Sequence, residues 1–192
     1  MHPLRLETER PVNGVILDKG GRFCPRDSRR DRLRLESDDL RNPFILRFIN
    51  ATDDEARAEF LTAYGCLMPG KQDCSRKAFK ELQREMFRLL STAGTWDLLD
   101  SRGPAKAVNM IQEKGDRFEA IPAPGGIALR YESLLALMRA EVRKVVDFAV
   151  RLDACDHCHV AFLTGSITGR KGHAKFCSNR CRAAALRARG AA

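Results

Sequence analysis

From position 43 to 152 the apolar residues recur at spacings that separate helices from strands. Pro43-Phe-Ile-Leu-Arg-Phe-Ile-Asn50 is short, apolar and rich in aromatic and β-branched residues, which predicts a largely buried strand. Thr52-Asp-Asp-Glu55 has capping-box spacing and predicts a helix to about Cys66, burying Ala56, Phe60 and Tyr64 at i, i+4 and i+8, with Pro69-Gly70 ending the connection. A longer helix over 75–93 carries Phe79, Leu82, Met86, Leu89 and Leu90 on one stripe, with Gly94 beyond its end. Trp96, Leu98 and Leu99 predict a short apolar turn, and 105–113 a further helix closed by Gly115. Phe118-Glu-Ala-Ile121 and Ile127-Ala-Leu-Arg-Tyr131 flank a Pro/Gly-rich turn, the pattern of a β-hairpin with a loop of about five residues. The strongest periodicity runs over 133–152, where Leu134, Leu137, Met138, Val142, Val145, Val146, Ala149 and Leu152 form one stripe.

These elements predict an α+β protein: a mainly helical body over 43–152, with a short strand and a β-hairpin, and a small C-terminal module over 153–192. Residues 1–42 hold Pro3, Pro11, Gly14, Gly20, Gly21, Pro25 and a charged run from Arg26 to Arg34, which predicts an irregular polar arm; a short hairpin around Val15–Leu17 is the alternative. The 192 residues are 44% apolar, with a mean hydropathy of −0.35 and no apolar run near the ~20 residues of a membrane span. The first 30 residues lack the uninterrupted apolar core of a secretory signal. Together these features predict a soluble, cytoplasmic protein without a membrane partner.

Seven cysteines change the picture of the C-terminus. Cys24, Cys66 and Cys74 are isolated and read as ordinary thiols, but Cys155, Cys158, Cys177 and Cys181 fall within 27 residues. Cys155-Asp-His-Cys158, 18 residues, then Cys177-Ser-Asn-Arg-Cys181 is the spacing of two ligand pairs around a tetrahedral zinc. Cys177 and Cys181 stand at i, i+4 and face one way if 178–189 is a helix. Phe162 and Phe176 suit a small hairpin in the intervening loop whose rings cover the metal. Knuckle, hairpin and helix together suggest a treble-clef or ribbon-like finger, and four thiolates leave no open position, so the zinc is structural. An iron–sulfur cluster and a redox CxxC pair are the alternatives, and His157, His159 and His173 are nearby substitutes for a cysteine ligand. No Ser/His/Asp, phosphate-loop or paired-carboxylate constellation stands out, so no catalytic residue is expected and the protein reads as a non-enzyme. Trp96, Arg130 and Tyr131 are candidates to line a pocket in the body, against plainer core and surface roles.

The run from Leu152-Asp-Ala-Cys155 through Phe162 to Lys175-Phe-Cys-Ser178 and Cys181-Arg182 resembles the CGNR-type zinc finger of bacterial proteins. Upstream, Phe48-Ile-Asn-Ala51 followed by a capped helix and Tyr64-Gly-Cys-Leu67 is similar to the opening of the ABATE domain found with that finger. Arg-Ala-Ala follows Cys181 where the family has Gly-Asn-Arg, the second pair is tighter than usual, and Asn179-Arg180 lies inside it. The resemblance implies a stress-induced transcription regulator that binds DNA.

Charge points the same way. The net formal charge is +9, yet residues 151–192 hold eight basic and two acidic residues, a net of +6. Arg170, Lys171, Lys175, Arg180, Arg182, Arg187 and Arg189 are the candidate nucleic-acid contacts, with Arg180 and Arg187 on one helical face and Arg182 and Arg189 roughly opposite. A protein partner docked on the finger is the competing expectation.

Overall fold

The computed structural model describes residues 2–37, 39–68, 73–94, 102–112, 115–124 and 126–190. The stop at Pro69-Gly70 and the turn holding Trp96, Leu98 and Leu99 lie outside them.

The N-terminal segment is not an irregular arm. It forms β1 (Leu4–Pro11), β2 (Val15–Leu17), β3 (Arg22–Pro25) and β4 (Arg30–Ser37). β1 and β4 pair antiparallel, placing Arg5 opposite Glu36, Glu7 opposite Arg34 and Glu9 opposite Arg32. The charges that suggested a solvated arm are therefore two halves of a cross-strand ladder. Leu4, Leu6 and Leu35 alternate with them and are buried on the other face. β6 (Phe118–Ala123) and β7 (Gly126–Tyr131) form the expected hairpin, and β7 joins β1 in parallel, giving the sheet order β4-β1-β7-β6. The hairpin is tighter than expected, pairing out to Ala123 and Gly126. The alternative hairpin at Val15–Leu17 is present: β2 pairs with β3, and β3 with β5 (Cys74–Ser75).

The strand expected over 43–50 is a helix, α1 (Phe44–Ile49). Phe44, Ile45, Leu46 and Phe48 are all buried, and a short segment buried on several sides has the same apolar pattern in either conformation. Partners remote in sequence decide it. The Glu141 carboxylate accepts from the N–H groups of Phe44 (3.1 Å) and Ile45 (2.9 Å), and Gln83 donates to the carbonyls of Phe48 (2.6 Å) and Ala51 (2.9 Å). Both ends of a six-residue helix are thus satisfied by buried side chains.

α2 (Asp54–Tyr64) is capped by Asp53, one residue later than expected, through the Ala56 N–H at 2.8 Å. α3 (Arg76–Gly94) buries Phe79, Met86, Leu89 and Leu90, and α4 (Arg102–Gln112) packs beside it. α5 (Leu134–Asp147), capped by Ser133, is enclosed by the sheet, α1, α3 and α4 and is buried on nearly all sides. It stops at Asp147 rather than near Leu152, because Ala149 turns left-handed at φ 49° and Arg151 enters a strand. No helix among the described residues is long and apolar enough to cross a membrane.

Candidate metal centre

β8 (Arg151–Ala154) and β9 (Ala161–Thr164) pair antiparallel on either side of the first cysteine pair, rather than lying wholly inside the loop between the pairs. The connection between them is a tight knuckle. Cys155 N–H donates to the Val160 carbonyl (3.0 Å) and His159 N–H to the Cys155 carbonyl (2.9 Å), with His159 at φ 59°. The chain then turns through Gly165 and Gly169, where the buried Thr168 hydroxyl donates to the Gly165 carbonyl and accepts from the Arg170 N–H. α6 (Asn179–Gly190) follows, and the Ser178 hydroxyl accepts from the Cys181 N–H at 3.2 Å, capping the helix that carries the last cysteine.

The fold brings all four cysteines together. Their sulfurs lie within 4.8 Å of one another, with Cys158–Cys177 at 3.6 Å, Cys177–Cys181 at 3.5 Å and Cys181–Cys158 at 3.7 Å. Sulfurs about 2.3 Å from one tetrahedral ion stand about 3.8 Å apart, so the donors fit a single metal ion with shifts of a few tenths of an ångström. Burial raises the Cys155 thiol, but the N–H groups of Cys158, Cys177 and His157 converge on its sulfur and bring it down to about 6. Burial and the neighbouring thiols push Cys177 up to about 12. Four thiolates this close repel one another, and a cation among them removes that cost. His157, His159 and His173 do not join the cluster, and Cys24, Cys66 and Cys74 stand apart from it.

Of the seven cations singled out in the sequence, Lys171, Lys175, Arg180, Arg182, Arg187 and Arg189 are exposed. Arg170 is not. Its guanidinium donates to the Cys177 carbonyl (Nη2 2.9 Å, Nε 3.2 Å) and covers the buried Phe162 ring at 5.8 Å. This half-buried guanidinium braces the C-terminal module, a role invisible to residue counting because it depends on how the turn at 165–170 folds back.

The module is seated firmly on the body. Asn50, at the end of α1, donates to the Ala161 carbonyl (2.9 Å) and accepts from the Ala161 N–H (3.1 Å), like an added strand residue. Leu163 is fully buried in the same core as α3 and α5. Gly94 abuts β8 so closely that a methyl there would lie 2.8 Å from the Leu152 nitrogen. No protein-family model matches the chain, and no curated protein matches it.

Proposed function

We propose that the four cysteines hold a structural zinc ion and that the finger built on them binds duplex DNA, as the contacting module of a transcription regulator of the CGNR/ABATE type. The observation that carries this reading is the set of six exposed cations on the finger. None of Lys171, Lys175, Arg180, Arg182, Arg187 and Arg189 is in an ion pair among the described residues, and no acidic residue occurs after Asp156. Elsewhere the formal charges nearly balance, with 26 basic and 23 acidic residues over 1–150, and some pair directly: Arg5 with Glu36, Arg34 with Glu7, Arg130 with Glu119 and Arg139 with Asp116. Unmatched charge concentrated on one small, rigid module is what phosphate contacts require.

Zinc is favoured over an iron–sulfur cluster by the spacing of the donors. Thiolates around a cluster bind different iron atoms and stand further apart than those enclosing one ion. With all four positions taken by protein, the metal has no site for substrate, and its work is to fix α6 against the knuckle.

Fluorescence anisotropy of metal-loaded protein with duplex DNA at several salt concentrations tests the reading. Each phosphate contact contributes about −0.9 to the log–log salt slope, so Arg180→Ala and Arg187→Ala each flatten it by about one unit. Absence of salt-dependent binding at low ionic strength overturns it. Metal analysis should give one zinc per chain, lost in Cys177→Ser. Val160 and Leu186, 40% and 61% exposed, are apolar positions on the same module. DNA binding indifferent to the arginine variants would transfer the finger to a protein partner through these residues.

A further inference from the structure

A cleft of about 530 Å³ opens between α4, α5 and the β6–β7 hairpin. Its origin lies in α5. That helix carries Leu, Met and Val at most buried positions but presents Ala136 and Ala140, one turn apart, to this side, and two methyl groups leave the space a pair of leucines would fill. Val108, Ile111 and Leu129 form the walls. Phe118, Tyr131 and Phe148 stand at the cleft as well, with the Phe118 and Tyr131 rings 5.7 Å apart and tilted by 39°. Phe118 is 60% exposed, so its ring faces water unless something covers it.

We propose that this cleft is a binding site for an uncharged, aromatic small molecule. The volume lies in the range of small-molecule pockets, and the lining is mainly apolar with aromatic surfaces suited to offset or edge-to-face stacking. The charges around it argue against an ionic ligand, because each already has a hydrogen-bond partner within the protein. Asp116 takes both ends of the Arg139 guanidinium (2.6 and 2.5 Å), Arg143 donates to Asp147 (2.8 Å), and Lys144 Nζ donates to the Ser37 carbonyl (2.8 Å). An anion or cation would compete with these partners and lose its own hydration against a mainly apolar lining, and a neutral ring system would do neither. The proposal is independent of the DNA reading, since the site shares no residue with the finger.

The test is a fluorescence titration of full-length, metal-loaded protein with N-phenyl-1-naphthylamine, a neutral apolar dye, beside its sulfonated counterpart 8-anilinonaphthalene-1-sulfonate. The neutral dye should bind at a single saturable site, at least tenfold tighter than the sulfonate. Ala140→Leu, which fills the floor, should weaken it at least tenfold. Phe118→Ala, which removes an exposed ring and leaves the core untouched, should weaken it at least threefold with an unchanged circular dichroism spectrum. No saturable binding, equal affinity of wild type and Phe118→Ala, or preference for the sulfonate would each overturn the proposal. So would dye binding that dissociates a dimer in sedimentation, which would assign the cleft to a second copy of the chain.

Discussion

The carboxylate of Glu141 is fully buried on α5, where it accepts from the Ser37 hydroxyl at 2.7 Å and from the Phe44 and Ile45 N–H groups. Burial pushes its carboxyl up to about 7, against the downward pull of those three donors and of Lys144. A proton held more tightly in the folded state than in the unfolded one stabilises the fold below the ordinary value of 4.5, and that contribution is lost as pH rises through 7. Urea unfolding of the wild type should therefore lose on the order of 3 kcal/mol between pH 4.5 and 7.5 from this group, a slope absent in Glu141→Gln. The variant also turns an amide N–H toward a backbone N–H and should cost about 1–3 kcal/mol at pH 5. Gly65 is a second residue whose importance is geometric. It ends α2 at φ 79°, and an added Cβ would lie 2.3 Å from the Glu9 carbonyl oxygen. Gly65→Ala must push α2 off β1, and a loss of about 2–4 kcal/mol in the same unfolding assay is expected. Neither role could be read from the chain, because Glu141 looks like one more polar position on a helix and its partners lie about a hundred residues away. The four cysteines were legible for the opposite reason: the spacing within each pair sets two sulfurs close together locally, and the fold then joins the two pairs.

Elements divide along the same line between local and remote causes. α3, α5 and the β6–β7 hairpin follow from periodicity, caps and a Pro/Gly turn, all contained within the segments themselves. β1 and β4 were obscured because each carries a charge at nearly every second position, and those charges become a ladder only once the strands are aligned. The apolar pattern of α1 predicts a strand because its caps, Glu141 and Gln83, belong to other helices. The same short helix positions Asn50, which pairs with Ala161 of β9 and so ties the body to the β8–β9 hairpin. Asn50→Ala leaves both Ala161 backbone groups without that partner, at a cost of about 1–3 kcal/mol. The opening should be local: amide exchange at Ala161 should speed by ten- to a hundredfold while exchange in α5 stays slow. Equal acceleration in both would show that the hairpin and the body open as one unit.

At the scale of the whole molecule, the contribution of the proposed metal can be separated from that of the core. β8 and β9 are held to the body by Leu163, by Asn50 and by the close approach of Gly94 to Leu152, none of which involves a sulfur. α6 differs. It is 12 residues of mainly alanine and arginine, its Leu186 is 61% exposed, and it is held through Cys177, Cys181 and the Ser178 cap. A helix of that length is marginal in water without tertiary support. Its four arginines repel one another, so under the proposed metal site ligation of the cysteines would supply most of what keeps it in place. Removing the metal with a strong chelator should therefore melt α6 and leave the body standing. Helical circular dichroism should fall by roughly the share of those 12 residues, amide protection should vanish across α6 and persist in α3 and α5, and the main thermal transition should move by only a few degrees. Cys181→Ser should reproduce the loss without chelator. Under the proposed function, DNA affinity should disappear in the same step, because the arginines remain but no longer share a rigid surface. Unfolding of the entire chain on chelation would contradict this division and make the metal part of the core's own stability.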